Sequence, residues 1–176
     1  MEKRINHLSQ SKDDVRVYVS TYNRYNNGSL QGYWLDVASF DDAEDLIEYC
    51  NEELFCDEDL PELMFQDFDN FPEKFYSESM NKDDFDGLFE WLELDEEQRN
   101  MCEEYWDEIW KDASIKDILN AYVYSGDAEE FYDKLADKKL NNDNIPVILR
   151  DCFDYNKWYF YCRMKYKETK NYLFVA

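Results

Sequence analysis

"VRVYVSTYNRYNNGSLQGYWLDV" runs from Val15 to Val37. Val15, Val17 and Val19 alternate with other residues, so one face is apolar with the period of a β-strand. Asn27-Gly28 supplies turn chemistry, because Gly takes a positive φ at no steric cost. Leu30 to Val37 then reads as a second strand. "ELMFQDFD" (Glu62–Asp69) is a third strand candidate. Between the second and third, Ser39 with Asp42 has the spacing of an acidic capping box. It opens an expected helix from Asp41 to about Leu54 that buries Leu46, Ile47 and Cys50. The segment therefore predicts a small α+β domain over residues 14–78, built on a three-stranded antiparallel sheet.

Outward from this unit, residues 1–13 hold no apolar run, so a flexible tail without a secretory signal is expected, with His7 in solvent. Residues 80–139 read as four short helices. Asn81 caps the first, whose stripe is Phe85, Leu88, Phe89 and Leu92. The second runs through "DEEQRNMCEEYWDEIWKD" (Asp95–Asp112), with Met101, Tyr105, Trp106, Ile109 and Trp110 turned inward. Ser114 caps a third, carrying Ile115, Ile118, Leu119 and Tyr122, and Asp127 caps a fourth, carrying Phe131, Leu135 and Ala136. Ile145 to about Tyr155 reads as a helix with Pro146 in its first turn. "RMKYK" and "NYLFVA" close the chain as a hairpin. The expected fold class is α+β, an elongated chain of three small subdomains: 14–78, an acidic helical domain over 79–125, and a C-terminal α+β domain over 126–176.

The 176 residues are 44% hydrophobic and 18% aromatic, which supplies a core despite 35% charged residues. That composition excludes a disordered acidic tail. The net charge of −23 disfavours direct binding to nucleic acid or an anionic membrane and favours basic partners. Five cysteines with no CxxC read as reduced thiols in a cytoplasmic protein. Charge is unevenly placed: residues 36–110 hold 28 acids against three bases. Asp95–Asp112 alone holds eight acids against two bases. As a helix this stretch is about 27 Å long. One DNA strand carries roughly eight phosphates over that distance. Glu97, Glu104 and Glu108 line one flank, and Glu96, Glu103 and Asp107 the next. Such density suits a partner with a long positive groove, meaning a DNA-binding protein.

Catalytic and metal signals are sparse. One histidine, four glycines and no phosphate loop leave no nucleophile system of the usual kind. Neither a metal site nor a cofactor is expected. An EF-hand loop with Gly87 at its sixth position would place Lys82 first, which is wrong for a cation ligand. A metal-dependent hydrolase using the Asp57–Asp69 cluster is the alternative from a different functional class.

The stretch from Val17 to Val37 resembles the N-terminal signature of the ArdA-type antirestriction proteins, matching it at Tyr25, Asn26, Gly28, Leu30, Gly32 and Trp34. "IPVILRDCFDYNKWYFYCR" resembles a later family segment at Ile145, Pro146, Leu149, Asp154, Tyr155 and Arg163, although "WYFYCR" stands where the family has Tyr-Gly-Arg. The resemblance implies a homodimeric DNA mimic without enzymatic activity, encoded on a mobile element, that occupies the DNA groove of a Type I restriction–modification enzyme in the bacterial cytoplasm. Another defence nuclease, such as a CRISPR effector, is the alternative target. The acidic surface expected to act is Asp57, Glu58, Asp59, Glu62, Asp67, Asp69, Asp84, Asp86, Glu93, Glu96, Glu97, Glu103, Glu104, Asp107, Glu108 and Asp112. The expected dimer contact is Tyr155, Trp158, Tyr159 and Tyr161.

Overall fold

The computed structural model describes residues 7–9, 14–141 and 145–176. Its contacts divide the chain into two units, one up to Leu94 and the other from Asp95 on. The fold is mixed α+β, with a three-stranded antiparallel sheet in each unit.

In the first unit, β1 (Arg16–Thr21) is central. It pairs with β2 (Tyr33–Asp36) on one side and β3 (Leu63–Asp69) on the other, both antiparallel. The alternating valines do what their period demands: Val17 and Val19 are fully buried, with Leu35 beside them. The second strand starts at Tyr33, later than its sequence suggested. A one-turn helix, α1 (Tyr22–Asn26), intervenes, capped by the Thr21 hydroxyl. Gly28 follows at φ +81°, the left-handed conformation that a turn asks of glycine. Gly32 is fixed by crowding instead, since a Cβ there would lie 2.5 Å from the Val19 carbonyl oxygen.

Helix α2 (Ala43–Tyr49) is capped by Asp42, whose carboxylate accepts the Glu44 and Asp45 N–H groups. Ser39, the expected cap, sits in a 3-10 turn and donates its hydroxyl to the Asp36 carbonyl. A π-turn over Cys50–Leu54 continues the helix. Helix α3 (Lys82–Leu92) carries the full Asn81/Asp84 capping box. It packs on the first unit, with Phe85 edge-on to Phe65 at 5.2 Å. Its apolar stripe thus belongs to the N-terminal core, while the expected acidic middle domain began at residue 79.

The expectation of a solvated His7 is corrected. The ring is 8% exposed, stacks on Phe40 at 3.9 Å and lies 3.0 Å from the Ser39 hydroxyl. Hydrogen bonds from Ser9 N–H to the Trp34 carbonyl and from Asp36 N–H to the His7 carbonyl lay this segment along the edge of β2. Three residues are too few to show a period. The rest of the expected tail, residues 1–6 and 10–13, lies outside the described residues.

The second unit begins with α4 (Glu96–Glu108), α5 (Ile115–Ala121) and α6 (Ala128–Leu140), capped by Asp95, Ser114 and Asp127. Between α5 and α6 runs β4 (Tyr122–Ser125), a strand where the sequence read as the end of a helix. The closing hairpin, β5 (Tyr166–Glu168) and β6 (Tyr172–Val175), joins it in the order β4-β6-β5. Helix α7 (Val147–Asp151) lies within the helix expected over Ile145 to about Tyr155, and α8 (Tyr155–Arg163) follows where none was expected, because Asp154 opens a new cap by accepting the Lys157 N–H. Tyr172, Leu173 and Phe174 are all buried, so β6 is covered on both faces. Phe174 meets Tyr105 of α4 at 4.8 Å on one side. Leu173 joins Tyr132 of α6 and Cys162 of α8 on the other. Trp106 is buried and donates its indole N–H to the Ala113 carbonyl at 2.8 Å. Trp110, expected inside, is 55% exposed, since α4 stops at Glu108 and the helical register ends with it. Among the described residues no helix is long and apolar enough to cross a membrane.

Candidate functional site

The acids of the first unit divide by what holds them. Arg24 of α1 reaches Asp57 at 2.6 Å and Glu58 at 3.1 Å, and Glu58 also accepts the Thr21 hydroxyl at 2.8 Å. Arg16 pairs with Asp69 at 2.8 Å while lying over the Trp34 ring at 4.4 Å. Asp86 is bridged by Lys82 at 2.8 Å, and Asp84 serves the capping box of α3. Asp67 is exposed and accepts the Phe68 N–H. Asp59, Glu62 and Glu93 are exposed. Four of the expected surface acids, Asp57, Glu58, Asp69 and Asp86, are therefore neutralised by the chain's own cations.

These contacts also weigh against a hydrolase on the Asp57–Asp69 stretch. A carboxylate already bonded to a guanidinium offers its lone pairs to that group, not to a divalent ion. No three or more His, Cys, Asp or Glu side chains among the described residues stand where they could share an ion.

Helix α4 opens with a capping box, in which Asp95 accepts the Gln98 N–H and the Gln98 side chain accepts the Asp95 N–H. Glu96 and Glu97 lie in its first turn, where the helix dipole favours negative charge. Helical spacing groups Glu97, Glu104 and Glu108 apart from Glu96, Glu103 and Asp107, and the hydrogen bonds of the two groups differ. Glu104 accepts the backbone N–H of Asn171 at 3.0 Å and a second hydrogen bond from the Asn171 side-chain amide. Glu97 accepts the Ser125 hydroxyl at 2.9 Å. Among the described residues Glu96, Glu103 and Asp107 show no hydrogen bond of that kind. Partial burial, with Asp107 beside it, pushes the Glu103 carboxyl above its ordinary range, and Arg99 opposes the rise. Asp107, Glu108 and Asp112 are exposed.

The N-terminal motif residues are largely architectural. Gly28 and Gly32 shape the loop, and Trp34 carries Arg16. Tyr18 and Ser20 donate to the carbonyls of Leu30 and Gln31 at 3.0 and 2.8 Å. Tyr25 and Leu30 keep their side chains exposed.

Of the four expected dimer residues, Trp158 donates its indole N–H to the Tyr132 carbonyl at 2.9 Å, and Tyr159 donates its hydroxyl to Asp133 at 2.5 Å. The Asp133 carboxylate holds that phenol up at about 12. Tyr155 and Tyr161 are exposed. Sequence reasoning missed the exposed Val147, Ile148 and Leu149 of α7, and Phe160 and Met164 of the α8 region. The i,i+4 spacing of Phe160 and Met164 was the available signal.

A family model described as antirestriction protein (ArdA) matches residues 17–169 of this chain. The chain belongs to the ArdA antirestriction family. A search of curated proteins finds no match. The matched range takes in β1 from Val17 on, the glycine loop, the acidic helix α4 and all of α8, so it spans most of both units of this ArdA family member.

Proposed function

We propose that this chain inhibits a Type I restriction–modification enzyme by occupying its DNA-binding groove, with carboxylates standing in for phosphates. The observation that carries the reading is α4. It is a helix of an antirestriction-family chain on which Glu96, Asp107 and Glu108 are exposed and form no ion pair among the described residues, while Arg99 partly compensates Glu103. Mutual repulsion on such a face costs stability, and a basic groove would relieve it. Inhibition of this kind needs no cofactor, no metal and no bond-making by the inhibitor. The chain acts in the cytoplasm, where its target meets incoming DNA.

The active form is a homodimer. Its contact is the exposed apolar surface of α7 and α8, where Val147 and Ile148 are 68% and 70% exposed and Tyr155, Phe160 and Tyr161 accompany them. Exposed apolar residues grouped on neighbouring elements mark association surfaces.

The test is cleavage of unmodified duplex DNA by a purified Type I enzyme with the chain added. Stoichiometric loss of cleavage, with no change to the enzyme or DNA once the chain is removed, supports the reading. Full cleavage at saturating chain, or a turnover-dependent modification of the enzyme, overturns it.

A further inference from the structure

The acids of α4 are not equivalent, and the difference is set by the second sheet. Asn171, in the turn between β5 and β6, is fully engaged. Its carbonyl accepts the Gly126 N–H at 2.7 Å, and its own N–H and side-chain amide both donate to Glu104. Seven residues earlier on the same flank, Glu97 accepts from Ser125 of β4, and Tyr122 lies within hydrogen-bond distance of that serine at 2.8 Å. Beneath them Tyr105 packs edge-on to Phe174 of β6. One flank of the helix is thus fastened to β4 through one hydrogen bond to Glu97 and to the β5–β6 turn through two to Glu104.

We infer that α4 divides its acids between two tasks: Glu97 and Glu104 fix the helix to the sheet, and Glu96, Glu103 and Asp107 form the flank that meets the basic partner. The inference rests on the proposed function for its second half only. A carboxylate held by Asn171 or Ser125 has its orientation and part of its accepting capacity committed, so turning it toward a partner's cation costs part of those bonds. Among the described residues Glu96, Glu103 and Asp107 show no such bonds to break. Their spacings of seven and four residues put successive carboxylates about 10 and 6 Å apart along the axis.

Two variants separate the tasks: Glu97→Gln with Glu104→Gln, and Glu96→Gln with Glu103→Gln and Asp107→Asn. Each is measured for thermal unfolding and for inhibition of a purified Type I enzyme across a salt series. The fastening pair is expected to lower the unfolding temperature and leave inhibition at low temperature within about twofold, with the salt slope unchanged. The flank triple is expected to hold or raise the unfolding temperature, weaken inhibition by about tenfold or more, and flatten the salt slope. Equal losses of inhibition in both variants, or a fastening pair that unfolds at the wild-type temperature, overturn the inference. If the wild type inhibits nothing, the functional reading fails, and the unfolding data still decide whether Glu97 and Glu104 fasten the helix.

Discussion

Replacing Gly32 with Ala sets a methyl carbon 2.5 Å from the Val19 carbonyl oxygen and 2.8 Å from the Tyr18 ring. Ordinary contacts begin near 3.4 Å, so roughly 1 Å must be opened. Val19 is poorly placed to yield. It is fully buried and pairs with Tyr33 on one side and Phe65 on the other. Overpacking of this kind costs about 2–3 kcal/mol. At about 4–8 °C per kcal/mol for a domain of this size, the N-terminal unit should unfold roughly 10–20 °C lower. Gly28 provides the contrast within the same loop. Its φ is +81° and a Cβ there meets nothing within 4 Å, so the cost is conformational alone. Ala at 28 should cost about 1–2 kcal/mol, and Asn, which tolerates this region, should recover part of it. Circular dichroism melts of the four variants, Ala and Asn at each position, decide the matter. A Gly32→Ala melt within a few degrees of wild type would refute the crowding argument, and so would recovery by Asn at 32 but not at 28.

Glu103 supplies a pH test. Its carboxyl is raised in the folded state, by burial first and by Asp107 second. The folded chain therefore holds that proton more tightly than the unfolded one, and stability falls as pH rises from the ordinary glutamate range through the raised value. Glu103→Gln should raise the unfolding temperature at neutral pH and give no gain at pH below about 4, the ordinary glutamate range; a gain confined to acid would contradict this. Burial pushes the Cys50 thiol up to about 12, and Cys102 and Cys162 are buried too, so a thiol reagent should label Cys56 and Cys152 in the folded chain and the other three only after unfolding. Light scattering should report a dimer mass at micromolar concentration, and Ile148→Asp with Phe160→Asp should shift it to monomer; a wild-type monomer would remove the proposed contact.

The legible parts of this fold are those with a local signal. Val17 and Val19 announce β1 because a strand buried on one side needs period two. Asn81, Ser114 and Asp127 announce their helices because a side-chain oxygen must take up orphan N–H groups at a helix start. Tyr122 misled for the same reason in reverse: it lies seven residues from Ile115, continuing a helical stripe, while its pairing with Phe174 is a long-range fact. Helix α8 was illegible because "YNKWYFYC" is aromatic almost throughout and shows no clear face. Within the candidate site, the acids themselves were readable, and their partners were not. Arg24 lies more than thirty residues from Asp57 and Glu58, and Asn171 is 67 residues from Glu104. Only the fold brings those groups together, and it converts acids that look alike in sequence into clamps, caps and free charges.

The central claim is that carboxylates on this chain take the place of DNA phosphates. Its most direct test is competition between the chain and duplex DNA for a purified Type I enzyme, measured from about 50 to about 200 mM salt. The account expects mutually exclusive binding, an affinity that falls steeply over that range, and no binding of the chain to DNA alone. Simultaneous binding of chain and DNA, or an affinity indifferent to salt, would contradict it.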